Sequence, residues 1–144
     1  LRVGTAIALG ATPGWEAVSH VALGLDLTRR ALQSQLKAEG KPWAPAKSFA
    51  GAAIVAPLVR VDRFEDPAAI RFSLDVNGER RQEGGLGDLI FDVPYILAFL
   101  ARLMPLGPGD LIFTGTPSGV ADFRVGDRFV LRFEGSGPAF EGVL

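Results

Sequence analysis

The sequence predicts a mostly β fold with two short-to-medium helices, and three observations carry that expectation. Ile70, Phe72, Leu74 and Val76 alternate with Arg71, Ser73 and Asp75, the two-residue period of a half-buried strand. Asn77-Gly78 follows at once and supplies the positive φ angles of a two-residue hairpin turn. Phe129, Leu131 and Phe133 repeat the alternation near the end of the chain. Helical spacing is confined to two stretches, Thr28 to Glu39 and Leu89 to Met104.

Taken in order, Arg2 to Leu9 reads as a strand of small residues, closed by a turn at Ala11-Thr12-Pro13-Gly14. Trp15 and Glu16 begin a short helical turn, and Val18 to Leu25 is a second apolar strand. The first helix, Thr28 to Glu39, turns Leu32 and Leu36 inward and stops at Gly40. Pro42 and Pro45 keep the next stretch extended. Ile54 to Val61 is a strand interrupted by Pro57, which favours an edge or a bend. After the Asn77-Gly78 turn, Glu79 to Gln82 returns antiparallel, and Gly84, Gly85 and Gly87 form a loop up to Asp88. Either Asp88 or Asp92 can cap the second helix, with Pro94 tolerated in its first turn. Ile96, Leu97, Phe99, Leu100 and Leu103 make that helix apolar nearly all round, so most of its faces are expected to be buried. Leu111 to Phe113 reads as a short buried strand leaving into the loop Thr114-Gly115-Thr116-Pro117. Gly107 to Asp110 and Val125 to Asp127 are turns.

The 144 residues suffice for one domain with a real core, and an apolar share of 48% argues against disorder. A formal charge of −1 gives no electrostatic reason to expect nucleic acid or an anionic membrane as partner. No apolar run approaches the roughly 20 residues of a membrane-spanning helix. Cysteine is absent, which excludes disulfides, thiolate metal sites and a cysteine nucleophile, and fits a cytoplasmic setting. The opening LRVGTAIALG reads as a strand already under way, so the expectation is a single domain over residues 1–144 with its N-terminal side missing.

Several side chains could carry chemistry. Asp26, Arg30 and Gln33 are spaced i, i+4, i+7, so a helix beginning near Asp26 would align an acid, a guanidinium and an amide. A carboxylate where the Val21 to Leu25 run ends suits a hard cation such as Mg²⁺; alternatively Asp26 caps the helix and pairs with Arg30. Lys47, among small and aromatic neighbours, is either a positioned electrophile or a packed stem with its head in water. Thr116 lies in a turn that could bind an oxyanion or be an ordinary Gly-Pro turn. Arg80, Arg81 and Gln82 read as a solvated face. His20, the lone histidine, sits in an apolar strand and reads as structural, which leaves no self-contained Ser-His-Asp triad.

Together these pieces resemble the fumarylacetoacetate hydrolase superfamily, in particular its acylpyruvate hydrolase branch. The matching text is Leu25-Asp26-Leu27-Thr28, Arg30, Gln33, Gly40-Lys41-Pro42-Trp43 and Ala46-Lys47-Ser48-Phe49. It continues through Val76-Asn77-Gly78-Glu79, Arg81-Gln82-Glu83-Gly84, Asp88-Leu89-Ile90-Phe91, Pro94-Tyr95-Ile96, Gly109-Asp110 and Thr114 to Val120. The resemblance implies a mixed β-sandwich roll, a homodimer, and Mg²⁺ or Mn²⁺ held on three carboxylates, of which Asp26 matches the third. The other two, in a Glu-x-Glu strand, and the catalytic His and Glu would lie upstream of Leu1. Arg30, Gln33, Lys47 and Thr116 match positions that contact a small 2-oxo acid, and Lys47 would also stabilise the enolate. Ala31 and Ala50 stand where relatives often have Asp, His20 where Gly is common, and Ala121-Asp122 where Gly is frequent. The expected activity is metal-dependent cleavage of acylpyruvate-type 1,3-diketo acids. Oxaloacetate-type decarboxylation, or isomerisation or hydration of aromatic ring-cleavage products, is the alternative on the same scaffold. A non-catalytic binding or assembly module is the alternative of another class.

Overall fold

In chain order the strands are β1 (Arg2–Val3), β2 (Val18–Val21), β3 (Gly24–Asp26), β4 (Ala53–Val55), β5 (Val59–Arg60), β6 (Arg71–Val76), β7 (Glu79–Gly85), β8 (Arg128–Phe133) and β9 (Ala139–Val143). Two helices, α1 (Arg30–Ala38) and α2 (Val93–Leu103), complete the regular structure. These assignments come from a computed structural model that describes residues 1–135 and 137–144. Contacts divide the chain into two compact units, Gly24–Ala56 and the rest, Leu1–Leu23 with Pro57–Leu144. Every strand pairing among the described residues is antiparallel.

The larger unit holds a three-stranded sheet in the order β1-β2-β5 and a four-stranded sheet in the order β7-β6-β8-β9. The β6–β7 hairpin turns where expected, with Asn77 at φ 52° and Gly78 at φ 85°. Phe129, Leu131 and Phe133 face inward from β8, opposite Val76, Leu74 and Phe72 of β6. A separate cluster packs Val3, Ile7, Ala17 and Val18 against Val93, Leu97 and Ala101 of α2, with Leu106 and Ile112. The Asp92 side chain caps α2 by accepting from Tyr95 N at 2.8 Å, and Pro94 sits in the first turn, where its missing N–H costs nothing.

The sequence reading is corrected at several elements. The first strand stops at Val3, after a shift of register between Arg2 and Val3, and Gly4 passes so close to Ser19 that a Cβ would lie 2.7 Å from that residue's Cβ. Beyond it Ile7 exchanges backbone hydrogen bonds with Leu106 instead. The Val18-to-Leu25 run breaks into β2 and β3, and the Pro57 stretch into β4 and β5. Gly84 and Gly85 lie within β7 and not in a loop, paired with Phe72 and Arg71 of β6, and a Cβ on Gly84 would meet Pro117 at 3.0 Å. Helix α2 begins at Val93 and buries one face only: Tyr95, Phe99 and Leu103, spaced i, i+4, i+8, are exposed. Leu111 makes one isolated bridge, to Arg2, rather than a strand. Strand β9 is an element the sequence did not announce.

In the smaller unit β3 pairs with β4, and α1 ends where Gly40, at φ 65°, turns the chain out of the helix. Helix α1 begins at Arg30, not Thr28. The residues just before it are held elsewhere: Asp26 pairs with Ala53 in the β ladder, Leu27 N donates to Ala52 O at 2.7 Å, and Arg29 N donates to Ala46 O at 3.0 Å. Leu32 and Leu36 are half-buried, and Gln33 is the most buried residue of the helix.

Candidate active site

Asp26 and Lys47 meet although 21 positions separate them. The strand β3 ends at Asp26, and the tethers from Leu27 and Arg29 draw the 46–52 segment against that end. Lys47 caps a 3-10 turn, Ala44–Ala46, its N–H donating to Ala44 O at 2.9 Å. Ala46 is fully buried, so a larger side chain there would push the turn, and Lys47 with it, off the helix start.

The Lys47 ammonium donates to Asp26 Oδ1 and, at 3.1 Å, to Thr28 Oγ1. That leaves one of its three N–H donors uncommitted. Lys47 is the more enclosed partner, with 26% of its side chain exposed against 50% for Asp26. Asp26 therefore neither caps α1 nor pairs with Arg30; the residue preceding the helix is Arg29, and it makes no side-chain cap bond. The i, i+4, i+7 alignment on one helix is likewise set aside, because Asp26 belongs to a strand. Arg30 and Gln33 do share a helix face: Arg30 donates to Gln33 Oε1 at 2.8 Å. With its oxygen so engaged, Gln33 turns its Nε2 donors away from Arg30.

Charge sharpens the picture. Within Gly24–Ala56 stand Arg29, Arg30, Lys37, Lys41 and Lys47 against Asp26 and Glu39, a formal +3 in a chain of net −1. Lys41 pairs with Glu39 at 2.7 Å, Arg29 lies over the Phe49 ring at 4.4 Å and Lys37 over Trp43 at 5.6 Å. Among the described residues Arg30 has no carboxylate partner, so its charge is available to an anion.

Thr116 lies on the larger unit, exposed, in the irregular segment after Ile112. Its hydroxyl accepts from Gln82 Nε2 at 2.8 Å. Thr28 and Gln82 are the two polar partners that sequence reasoning missed. By sequence Thr28 falls in a helix and Gln82 in a solvated run; Arg80 fits such a run, with its ion pairs to Asp75, Glu83 and Glu134 at the surface. His20 is half-buried in β2, its Nδ1 3.0 Å from Ser19 Oγ and 3.5 Å from an Arg2 guanidinium nitrogen, in keeping with a structural role.

Asp26 has the oxygen donor that a hard divalent cation takes. Among the described residues, however, no three His, Cys, Asp or Glu side chains gather as a metal cluster. One carboxylate supplies one of the several oxygen ligands a divalent cation takes, so Asp26 fits as part of a cation site and not as the whole of it.

Comparison with known proteins bears on the chain as a whole. The chain is 42% identical over 118 residues to the mouse mitochondrial oxaloacetate tautomerase, covering 82% of this chain and 53% of that protein. It is 35% identical over 121 residues to an oxaloacetate tautomerase of Escherichia coli, covering 83% and 55%. The chain thus spans about half the length of the curated relatives it matches. A crystal structure of fumarylpyruvate hydrolase from Pseudomonas aeruginosa, in complex with Mn²⁺ and pyruvate, superposes with a TM-score of 0.86 at 34% identity, covering 97% of this chain and 60% of that one. The family model described as fumarylacetoacetate (FAA) hydrolase C-terminal matches residues 3–143. With sequence, fold and family model in agreement, the chain belongs to the fumarylacetoacetate hydrolase family, whose members include enzymes acting on ketonic substrates.

Proposed function

We propose that the protein is a metal-dependent hydrolase that cleaves the carbon–carbon bond of acylpyruvate-type 1,3-diketo acids, of the fumarylpyruvate or acetylpyruvate kind. One observation carries the proposal: a lysine ammonium on a strand-end carboxylate, in a net-positive unit that also holds a guanidinium with no acid partner among the described residues. The pyruvate-bound fumarylpyruvate hydrolase among its structural neighbours supports the choice of substrate class.

In the reaction, water adds to the distal acyl carbonyl and the carbon–carbon bond breaks. The electron pair stays on the pyruvate fragment as an enolate, which takes up a proton, and the products are pyruvate and a carboxylic acid. Lys47 stabilises the charge developing on the enolate oxygen, with its third N–H as the donor. Arg30 and the Gln33 amide hold the substrate carboxylate, turning binding into orientation. Thr116 is a further proposed substrate contact. Asp26 would be one oxygen ligand of the Mg²⁺ or Mn²⁺ ion, which when bound polarises the 2-oxo carbonyl. A homodimer in the cytoplasm, with no nucleic-acid or membrane partner, completes the proposal.

A second reading is oxaloacetate tautomerisation, favoured by the names of the mouse and Escherichia coli relatives. A proton leaves the carbon beside the keto group and returns on oxygen, so the same enolate charge falls to Lys47. The test is to incubate the protein with acetylpyruvate, fumarylpyruvate and oxaloacetate, with and without Mg²⁺ or Mn²⁺, and to measure pyruvate release and keto–enol interconversion. Metal-dependent release of pyruvate from an acylpyruvate is expected. Interconversion of oxaloacetate alone would replace the first reading by the second, and inertness toward all three would remove both.

A further inference from the structure

Gln82 is tied to the loop that carries Thr116 in a way that fixes the direction of a proton. Its Nε2 lies 2.8 Å from Thr116 Oγ1, 2.9 Å from Pro117 O and 3.4 Å from Ser118 O. The two carbonyl oxygens can only accept, so the nitrogen and not the oxygen of the Gln82 amide must face the loop. The Thr116 oxygen is then an acceptor toward Gln82, and its own hydrogen must point elsewhere. Thr116 is exposed, so that hydrogen is offered outward as a donor. A hydroxyl that already accepts an N–H is polarised toward donation, which suits an anionic oxygen as its partner.

Two further features hold the same loop on β7. Gly119, at φ 93°, lies so close that a Cβ would fall 2.0 Å from Arg81 O. Pro117 packs on Gly84, where a Cβ would stand at 3.0 Å. The loop is thereby fixed at three β7 positions, Arg81, Gln82 and Gly84, and Gln82 supplies the polar link.

We propose that Gln82 is a positioning residue for substrate binding: it locks Thr116 as a hydrogen-bond donor to an anionic oxygen of the 2-oxo acid. This rests on the reading of Thr116 as a substrate contact. It adds a residue that touches no substrate and acts only through that hydroxyl.

The experiment compares Gln82→Met, Thr116→Val and the double variant, with acetylpyruvate and oxaloacetate as the substrates, reading KM, kcat and thermal stability. Methionine keeps the length of glutamine without its donors. Gln82→Met is expected to raise KM about tenfold, the scale of one hydrogen bond to a charged group, while kcat changes much less. In the Thr116→Val background the same change should add nothing to KM, since the hydroxyl it acts through is gone. Gln82→Glu, which puts an acceptor against two carbonyls, should be worse than Gln82→Met. A rise in KM with Thr116→Val but none with Gln82→Met, or strictly additive effects, would overturn the role of Gln82 alone. An unchanged KM with Thr116→Val would instead overturn the substrate contact on which it rests. A loss confined to thermal stability would reduce Gln82 to a structural clamp and overturn the proposal.

Discussion

At Lys47 a single ammonium holds Asp26 and Thr28 and keeps one donor in reserve, and the functional reading depends on that reserve. Replacing the lysine with methionine keeps the stem and removes the charge. Lys47→Met is expected to lower kcat by about a hundredfold or more, the range for losing a preorganised donor to a developing oxyanion. Because the ion pair is half exposed, the melting temperature should shift little, in line with an exposed pair worth under about 1 kcal/mol. Steady-state kinetics beside a thermal melt checks both, and an unchanged kcat would return Lys47 to the role of a packed stem. In the sequence, Lys47 stood out by its company of small and aromatic residues, and Asp26 by its place at the end of an apolar run. Their meeting did not, because it depends on backbone bonds from Leu27 and Arg29 to residues about 20 positions away. The helical start expected at Thr28 hid the hydroxyl that joins them. Arg30 and Gln33 were legible as one helix face, since i, i+3 spacing needs no tertiary information.

Among the elements, the β6–β7 and β6–β8 pairings carry a charged network on their outer side. Asp75 binds Arg80 Nε at 2.5 Å and Arg132 Nε at 3.4 Å, and its side chain is only 17% exposed. The Arg80 hydrogen bond, more than its charge or the Arg132 contact, holds the Asp75 carboxyl below the usual carboxylate range, against the opposing pull of burial. A carboxyl depressed by folding lends stability above its unfolded pKa of about 3.9, and that stability is lost as pH falls through the lower, folded value. Asp75→Asn should therefore lower stability in urea melts at pH 7 by about 2 kcal/mol, the scale of a hydrogen bond to a charged group. The difference from the parent protein should vanish once acid has protonated the native aspartate; a difference that persists at low pH would assign the loss to packing. Strands with clean alternation were legible, because the period of two is local. Strand β9 was not: Gly142 sits in it against the Phe129 ring, where a Cβ would fall 2.6 Å from the ring, so a packing demand overrides strand propensity. The apolar sequence of α2 gave its existence and cap but not its exposed side, since Tyr95, Phe99 and Leu103 look the same in sequence whether covered or not.

Over the whole molecule, the sequence announced a mostly β chain with two helices and the family it belongs to, and left the division into two compact units unseen. Nothing in the composition marks the boundaries at Leu23–Gly24 and Ala56–Pro57 beyond a glycine and a proline. The uneven charge, +3 on Gly24–Ala56 within a chain of −1, emerges only once those boundaries are drawn. It agrees with an anionic ligand at that unit, and a net charge counted over all 144 residues conceals it.

Everything proposed for this protein turns on the carboxylate at the end of β3 and the lysine beside it serving a divalent ion and a 2-oxo acid. The most direct measurement is a crystal structure of the protein with Mn²⁺ and oxalate, the ion located by its anomalous scattering. The expected result is a manganese peak within coordination distance of Asp26, oxalate on that ion, and Lys47 and Arg30 donating to oxalate oxygens. A peak remote from Asp26, with Lys47 still closed on the bare carboxylate and oxalate bound elsewhere or not at all, would contradict it.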